Sequence, residues 1–404
     1  MIYKKNKLSI DGFNINFLSK RFKTPIYCYS AKKLRDNILN FKKQFNKLNP
    51  LICFAVKANP NINILREIKN FNLGADVVSA GELMMAIKAG INPKKIVFSG
   101  VGKTNSELEY AINKKILLIN TESKSEILEI EKIAKTKKRV VNIGIRLNPN
   151  TDAKTLSQIS TGKKENKFGV NEKMFLHLVD HVKKSKSLKL KCLSVHIGSQ
   201  ILDHKPYKKM LNVVDKIIKK SNYDFEYIDL GGGMGIDYEH NNKKLNLRKY
   251  YQNIKKFLIK KNSKIIFEPG RSIIGDTAIL ISKVIYIKEG HKKDFIILDA
   301  AMNDLIRPAL YGAKHKIIAT QKNTKISRKT YEFVGPICES TDKFLTIKNF
   351  QKLKEKDFVI LCDVGAYGTS LSSNYNLRPK PIEILLKGSK IKVIKKRQKL
   401  SELV

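Results

Sequence analysis

Apolar and polar positions alternate along the first two thirds of the chain as short strand-like runs and helix-like segments. The apolar runs end near eight positions, which are Lys57, Ser79, Gly100, Asn120, Asn148, Ser199, Gly232 and Gly270. Between them, apolar residues recur at helical spacing in seven segments, roughly 61–72, 80–89, 105–114, 122–136, 171–185, 205–220 and 246–261. Ser30 is a plausible N-cap for an eighth helix through about Phe45. This alternation predicts an α/β protein with a (β/α)8 barrel of the TIM type.

The pattern changes after Arg271, where strand-like runs follow one another with turns between them. These runs are 278–287, 295–298, 331–334, 358–362, 382–386 and 391–394. They predict a second domain that is all-β and Greek-key-like. We therefore expect a barrel over 30–270 and a β domain over 271–404. Residues 1–29 are expected to be a polar lead-in that ends on the strand-like 25–29 and joins the β domain.

The amino-acid composition disfavours several classes of protein. The net charge is +43, but basic residues are spread along all 404 positions, so nucleic-acid binding is disfavoured as the main function. Five cysteines without CxxC spacing, at positions 28, 53, 192, 338 and 362, argue against a disulfide framework and a zinc site. With neither a membrane-length apolar run nor a secretory leader, a reducing cytoplasm is expected.

Arginine is scarce, because only 11 of the 79 basic residues are arginine. Where lysine is the default cation, an arginine inside a motif suggests a requirement for its planar, bidentate fork. Arg146, Arg271, Arg307 and Arg378 are therefore of interest.

The run 52–60 is apolar, lies between Pro50 and Pro60 and carries Lys57 at its end. A lysine at the carboxyl end of a buried barrel strand, with an apolar wall behind it, suits a Schiff-base amine because partial desolvation lowers its pKa. Alternatively, Lys57 extends from the last strand residue into solvent.

Other strand ends supply complementary groups. The glycine-rich run 231–235 after the seventh strand can present backbone N–H groups to a phosphate, although it also suits a tight turn. His196 is either a core histidine or a ring that stacks on a flat ligand. Glu268 is either a salt-bridge partner or a carboxylate beside a pyridine nitrogen. Together with Lys57 these groups describe a site for pyridoxal 5′-phosphate (PLP), whereas the third and fourth strand ends offer no evident chemistry.

Ten motifs in order carry a resemblance to a known family. They are FAVKAN (54–59), GADVVSAGEL (74–83), STGKKENKFG (160–169), HIGSQ (196–200), GGGMG (231–235), EPGR (268–271), RPALY (307–311), CESTD (338–342), DVGAY (363–367) and NYNLRP (374–379). The chain resembles the PLP enzymes of the alanine-racemase-like fold and, within the ornithine, diaminopimelate and arginine decarboxylases, the diaminopimelate decarboxylases. The resemblance covers nearly the whole chain. Leu156 departs from it, because many relatives carry a polar residue or histidine there.

The resemblance implies roles for individual residues. Lys57 would bind PLP covalently, His196 would stack on its ring, and Glu268 would pair with the pyridine nitrogen. The phosphate would be held by Ser199, Gly231, Gly232, Gly233, Gly270, Arg271 and Tyr367. Cys338 would be the general acid, contributed by the second subunit of a homodimer with shared active sites.

The resemblance also implies the substrate, meso-2,6-diaminopimelate, which would be decarboxylated to L-lysine in the last step of lysine biosynthesis. Its contacts would be Arg271, Arg307, Tyr311, Tyr367 and, from the partner subunit, Glu339. Two alternatives within this fold remain open, namely a decarboxylase of ornithine, arginine or lysine and a racemase. The sequence also leaves open whether Arg307 forms a surface salt bridge and whether Cys338 is a buried structural thiol.

Overall fold

The computed structural model describes residues 1–153 and 161–404, which divide into two compact units. The barrel unit comprises Ile38–Ile236 and Lys243–Ser272. The sheet unit comprises Met1–Asn37, Asp237–Asn242 and Ile273–Val404. Leu156 and Ser160, the first residue of the STG motif, lie outside the described residues.

The N-terminal residues are more structured than the sequence suggested. Strands β1 (Ile2–Lys4), β2 (Lys7–Ile10) and β3 (Phe13–Asn14) form a small antiparallel sheet, and helix α1 (Ile15–Phe22) follows. The expectation of a polar lead-in was wrong here, because short elements with few apolar positions give little periodicity to read. Strand β4 (Ile26–Ser30) comes next and is buried throughout.

The predicted barrel is confirmed. Its strands are β5 (Leu51–Ala55), β6 (Gly74–Val77), β7 (Ile96–Phe98), β8 (Leu118–Thr121), β9 (Val141–Arg146), β10 (Leu188–Ser194), β11 (Tyr227–Asp229) and β12 (Lys264–Phe267). All neighbouring strands pair in parallel, and the sheet closes between β9 and β10. The helices that accompany it are α2 (Ala31–Phe45), α3 (Ile62–Asn70), α4 (Ala80–Lys88), α5 (Asn105–Asn113), α6 (Lys124–Thr136), α7 (Glu172–Lys184), α8 (Lys205–Ser221) and α9 (Leu247–Phe257).

Local capping chemistry sets where these helices begin. Ser30 Oγ accepts the backbone N–H of Lys33 at 2.9 Å at the start of α2, as predicted. Thr104 and Glu107 form a reciprocal capping box at the start of α5. Each side-chain oxygen satisfies a backbone donor that a helix start otherwise leaves without a partner.

Small and medium apolar side chains fill the barrel interior. Cys53, Val97, Leu118, Cys192 and Ile266 form one cluster contributed by five different strands. The barrel is therefore a packed core, and polar chemistry is confined to its carboxyl-terminal end.

The sheet unit is mostly β, as expected, but it contains elements that the sequence did not reveal. Its strands after the barrel are β13 (Ala278–Lys288), β14 (Lys293–Leu298), β15 (Ile317–Ala319), β16 (Thr330–Val334), β17 (Lys343–Ile347), β18 (Phe358–Leu361), β19 (Ile382–Lys387) and β20 (Lys390–Lys395). The short helices α10 (Arg271–Ile274) and α11 (Arg307–Tyr311) accompany them. Strand β15 was missed because it has only three residues, and β17 because only one of its five residues is buried, so neither shows apolar alternation.

The nine-stranded sheet is mixed. Strand β4 pairs antiparallel with β13 and parallel with β19, so it lies inside the sheet between strands from the far end of the chain. Strands β14 and β16 also pair in parallel, a pairing that a purely antiparallel Greek key does not contain. In residues 1–153 and 161–404, no helix has the length and apolar character needed to cross a membrane.

Candidate active site

Lys57 lies just beyond the end of β5 rather than within it. The strand ends at Ala55, and residues 56–58 form a 3-10 turn. Lys57 Nζ is 2.8 Å from Asp76 Oδ2, and the Lys57 side chain is 41% exposed whereas that of Asp76 is fully buried. The amine therefore has a buried carboxylate on β6 as a partner, beside the buried apolar residues of β5 that precede it.

The second carboxylate oxygen of Asp76 is not bound by Lys57. This atom, Oδ1, is buried and has no hydrogen-bond partner within the described residues. A buried acceptor without a partner is unfavourable unless another group binds there. The Lys57 end of the barrel is therefore polar and able to accept a hydrogen-bond donor.

Glu268 follows β12, the strand next to β5. The N–H of Ala55 donates to Pro269 O at 3.2 Å, so the strand ends that carry Lys57 and Glu268 are adjacent. Burial is the main cause that raises the pKa of Glu268 well above its usual range; the Asp229 and Asp76 carboxylates add to the rise and Lys57 opposes it. Glu268 and Asp229 therefore lie close enough for their carboxyl groups to interact.

Side chains at the ends of the third and fourth barrel strands, β7 and β8, donate hydrogen bonds to the Glu268 and Asp229 carboxylates. Ser99 Oγ donates to Glu268 Oε1 at 3.3 Å, and Asn120 Nδ2 donates to Asp229 Oδ2 at 2.8 Å. The expectation that these strand ends carry no relevant chemistry was wrong. A lone Ser and a lone Asn lack a local signature, and only barrel closure brings them to Glu268 and Asp229.

His196 packs against the glycine turn. Its Nδ1 accepts the N–H of Gly232 at 3.2 Å. Burial, then Arg146 and Lys57, lower the pKa of His196 well below its usual value, so the ring is neutral. A neutral, partly buried imidazole suits stacking on a flat ligand.

The glycine turn packs too closely against its neighbours to accept side chains. Gly231 and Gly233 have φ of +64° and +85°, a region that favours glycine. A Cβ added at Gly231 would lie 2.5 Å from His196 Nδ1. Gly231 and Gly232 are buried, and their N–H groups donate to Asp229 Oδ1 and His196 Nδ1. Gly233 is partly exposed and offers the backbone of this turn to a phosphate.

Arg271 completes this end of the barrel. The residue is buried, and its Nη2 donates to Ser199 Oγ at 3.1 Å. Gly270 packs against the Lys57 turn, since an added Cβ would be 3.0 Å from Ala58 Cβ and 3.1 Å from Ala55 Cβ. The barrel unit therefore brings together all the predicted cofactor residues except Tyr367.

The remaining predicted site residues belong to the sheet unit. Arg307 is buried at the start of α11, and Tyr311, at its end, and Tyr367 are partly buried. Tyr367 has φ of +57° in the DVGAY loop. Because Arg307 is buried, it is not a surface salt-bridge residue.

Cys338 and Glu339 are exposed in the sheet unit. The N–H of Cys338 donates to Asn376 Oδ1 at 3.3 Å, and Tyr375 OH forms a short hydrogen bond to Glu339. Hydrogen bonds from Tyr375 and Thr341 lower the pKa of Glu339. Cys338 is thus not a buried structural thiol, and the NYNLRP motif supports the CESTD motif.

The residues at the barrel end fit PLP. The Glu268–Asp229 pair is a buried acidic cluster that a protonated pyridine nitrogen would neutralise, and the glycine turn with Arg271 provides donors for a phosphate. Lys57 Nζ, beside Asp76 at the same barrel end, is an amine that would bind the cofactor.

Comparison with known proteins agrees. Residues 31–275 match the family model described as pyridoxal-dependent decarboxylase, pyridoxal binding domain. Diaminopimelate decarboxylase of Helicobacter pylori strain J99 is 45% identical over 97% of each chain, and that of Aquifex aeolicus is 38% identical over 100% of this chain and 96% of the relative. The chain belongs to the diaminopimelate decarboxylase family.

The structural comparison supports the same assignment. A crystal structure of diaminopimelate decarboxylase from Helicobacter pylori complexed with L-lysine has a TM-score of 0.92 at 44% identity, over 96% of this chain and 98% of that one. The predicted family, fold and enzyme class are confirmed, and PLP is the cofactor of this pyridoxal-dependent decarboxylase family.

Sequence reasoning passed over two residues that lie beside a predicted substrate residue of this family member. In the sheet unit, Tyr238 and His315 contact the Arg307 guanidinium. The available signal was the position of His315, which follows the RPALY motif closely in a chain with only 7 histidines.

Proposed function

We propose that this protein decarboxylates meso-2,6-diaminopimelate to L-lysine and CO2, the last step of lysine biosynthesis. One observation carries the proposal: an amine, a buried carboxylate, a neutral imidazole and a glycine turn beside an arginine lie at one barrel end, in a chain related over nearly its full length to diaminopimelate decarboxylases.

PLP, when bound, supplies a protonated ring that withdraws electrons from the α-carbon of the amino acid. Lys57 would hold the cofactor covalently until the substrate amine replaces it. Glu268 would keep the pyridine nitrogen protonated, because a buried carboxylate gains most from a cation beside it. The neutral ring of His196 would pack on the cofactor face.

The phosphate would be held by residues that already share contacts. Gly231, Gly232 and Gly233 would line the phosphate. The N–H groups of Gly231 and Gly232 already donate to Asp229 Oδ1 and His196 Nδ1, so Gly233 would supply the backbone donor of this turn. The Ser199 hydroxyl and the backbone of Arg271 would join it, and the Arg271 side chain, which donates to Ser199 Oγ, would be left for the substrate. The backbone of Gly270 and the hydroxyl of Tyr367 would complete the set.

Substrate choice would rest on carboxylate recognition. Arg307 and Arg271 would grip the distal carboxylate of diaminopimelate together with Tyr311 and Tyr367, and Glu339 would take the distal ammonium. The buried position of Arg307 supports this role, because a desolvated guanidinium binds a carboxylate more strongly than an exposed one.

Reprotonation would use Cys338. Once CO2 leaves, the α-carbon needs a proton, and the exposed Cys338 thiol would donate it. In the single chain, the side chains of Cys338, Glu339 and Tyr375 are exposed. This exposure supports our proposal of a homodimer in which these residues act in the partner's site. We further propose that the enzyme is cytoplasmic.

A decisive assay offers meso-diaminopimelate, ornithine, arginine and lysine in turn to the PLP-loaded enzyme and measures CO2 and amine products. We expect CO2 and L-lysine from diaminopimelate. Release of CO2 from ornithine, arginine or lysine but not diaminopimelate would favour the basic amino-acid decarboxylase of the same fold, and racemisation without CO2 release would favour a racemase.

A variant tests the cofactor assignment. Lys57→Ala should lose the visible absorbance of lysine-bound cofactor and at least about 10³-fold in kcat, because the covalent attachment disappears. Lys88→Ala, on the barrel helix α4, serves as the matched control and should retain both. Unchanged absorbance in Lys57→Ala would contradict the assignment.

A further inference from the structure

Two hydroxyl groups bind the exposed Glu339 carboxylate within the sheet unit. Tyr375 OH forms a short hydrogen bond to Oε1, and Thr341 Oγ1 donates to Oε2 at 2.9 Å. These bonds, first that of Tyr375 and then that of Thr341, lower the pKa of Glu339, so its carboxyl group is ionised and only accepts. With one donor on each oxygen, both the position and the plane of the carboxylate are defined.

The two hydroxyls orient Glu339 without neutralising its charge. The Glu126 carboxylate, by contrast, pairs with Lys103 at 2.7 Å. Within residues 1–153 and 161–404, no lysine or arginine pairs with the Glu339 carboxylate, although the chain has 79 basic residues. Each carboxylate oxygen also keeps a second lone pair for another donor. Glu339 can therefore still bind an ammonium group.

The NYNLRP and CESTD segments are joined at a second point. Asn376 Oδ1 accepts the N–H of Cys338 at 3.3 Å. On the other side of Tyr375, Asn374 Nδ2 donates to Gln398 Oε1 at 2.6 Å. Both neighbours of Tyr375 are therefore bound, and the segment presents the tyrosine hydroxyl from a defined position.

The loop that carries Glu339 is closed by Asp342, the last residue of the CESTD motif. Its carboxylate accepts the N–H groups of Ile337 and Met302, each at 2.7 Å, and its own N–H donates to Glu339 O at 3.0 Å. Thr341 Oγ1 also lies 3.7 Å from Met302 Sδ, but a carboxylate is a much stronger acceptor than a thioether. Thr341 therefore directs its proton to Glu339.

We propose that Tyr375 and Thr341 are positioning residues that fix the Glu339 carboxylate for the distal ammonium of diaminopimelate. A glutamate side chain that is already ordered loses less conformational entropy when it binds a ligand. The two hydroxyls thereby strengthen the preference for a substrate with an ammonium group at its far end. This inference rests on the proposed function, because it takes Glu339 to be the residue that receives that ammonium.

Two substitutions each remove one hydroxyl and keep the shape of the side chain. Tyr375→Phe keeps the aromatic ring, and Thr341→Val keeps the branched side chain. Loss of either donor should raise KM for meso-diaminopimelate about threefold to tenfold, with less than about threefold change in kcat. The effect falls on KM because Glu339 would bind the far end of the substrate and not the reacting carbon.

A ligand without the distal ammonium provides the specificity readout. D-2-aminopimelate keeps the reacting amino-acid group and the distal carboxylate of meso-diaminopimelate, but it has hydrogen in place of the distal ammonium. Its inhibition constant should therefore change by less than about twofold in Tyr375→Phe and in Thr341→Val. The matched control Tyr286→Phe alters a tyrosine on β13 that is 62% exposed, and it should leave KM unchanged.

A double-mutant cycle tests whether Tyr375 acts through Glu339. Glu339→Gln removes the charge that attracts the ammonium and should raise KM for meso-diaminopimelate about tenfold or more. In that background, Tyr375→Phe should change KM by less than about twofold, because the carboxylate that the hydroxyl positions is gone. An equal effect of Tyr375→Phe with and without Glu339 would show that the tyrosine acts independently of it.

The comparison is made on holoenzyme, with thermal unfolding of each variant recorded. Equal weakening of meso-diaminopimelate and D-2-aminopimelate, or an unchanged KM in both single variants, would overturn the inference and leave the hydroxyls a structural role only. An unchanged KM in Glu339→Gln would also overturn it. A wild-type enzyme that does not decarboxylate diaminopimelate would instead remove the proposed function, and this inference with it, before any variant is compared.

Discussion

The burial of a single residue in this protein, more than its type, determines what it contributes to the stability of the fold. Asp304, in the sheet unit, is an example: it is 3% exposed and accepts the N–H of Ala301 at 3.0 Å. Burial is the main cause that raises the pKa of Asp304 to about 7. An ionised carboxylate at this position is therefore costly to the folded state.

Replacement of Asp304 by Asn should show this cost directly. The folded-state pKa of about 7 lies above the ordinary value of 3.8, so the folded protein holds the proton more tightly and wild-type stability falls as the pH rises between these values. Asparagine does not titrate. We expect Asp304→Asn to gain about 3 kcal/mol relative to wild type between pH 5 and pH 8.

The surroundings of Asp304 can accommodate the amide. Its oxygen can keep the bond from Ala301. Asp304 Oδ1 now accepts from Asn303 Nδ2 at 3.1 Å, so the Asn303 amide has to turn over and present its Oδ1, which has no partner in the described residues, to the new NH2 group. Denaturant unfolding at the two pH values measures the effect. A stability difference that is constant with pH would show that Asp304 does not titrate in this range.

At the scale of elements, a buried charge network joins three barrel strands to the helices that follow them. Lys103 Nζ, after β7, lies 2.7 Å from Glu126 Oε1 on α6, and the side chains are only 1% and 8% exposed. The other Glu126 oxygen accepts the N–H of Glu122, which in turn binds Arg146 at the end of β9. Glu122 Oε2 also accepts the N–H of Gly169 at 2.7 Å.

Removing the cation from this network should be strongly destabilising. Lys103→Met leaves Glu126 buried without its partner, which should reduce the free energy of unfolding by about 3–5 kcal/mol. The double variant Lys103→Met/Glu126→Gln should recover part of this loss, because the stranded charge is gone.

An exposed pair offers the matched control. Lys137 Nζ lies 3.2 Å from Glu109 Oε2, with side chains 25% and 50% exposed, and Lys137→Met should cost less than about 1 kcal/mol. Denaturant unfolding of the four proteins completes the comparison. If Lys103→Met proves as mild as Lys137→Met, the network does not stabilise these strand ends.

For the whole molecule, the open question is whether two chains share a site. A mixture of Lys57→Ala and Cys338→Ala, refolded together, tests this. In a homodimer with shared sites, random exchange would make half of the dimers mixed, each with one intact site, so about a quarter of wild-type activity should return. Each variant alone should be nearly inactive.

The same mixture also tests the arrangement in which Cys338 acts in the site of its own chain. If Cys338 acted in the site of its own chain, every site in the mixture would lack one residue and no activity would return. Size-exclusion chromatography with light scattering on the mixed sample verifies that dimers have formed.

The sequence by itself determined the barrel and its cofactor. Eight apolar runs separated by helical spacing predict a closed parallel barrel, because each element buries an apolar face that its period makes visible. Lys57, His196 and Glu268 were predicted as site residues because active sites of such barrels lie at strand ends. Family membership followed from ten ordered motifs.

Only the tertiary structure decided which of the many charges are buried and what they touch. Lys103 is one of 79 basic residues, and nothing near it in the sequence distinguishes it from the exposed Lys137. Ser99 reaches Glu268 across 169 positions, and Tyr238 reaches Arg307 from a stretch between two barrel-unit segments. Such contacts join residues far apart in the chain and leave no local periodicity, so chain folding alone creates them.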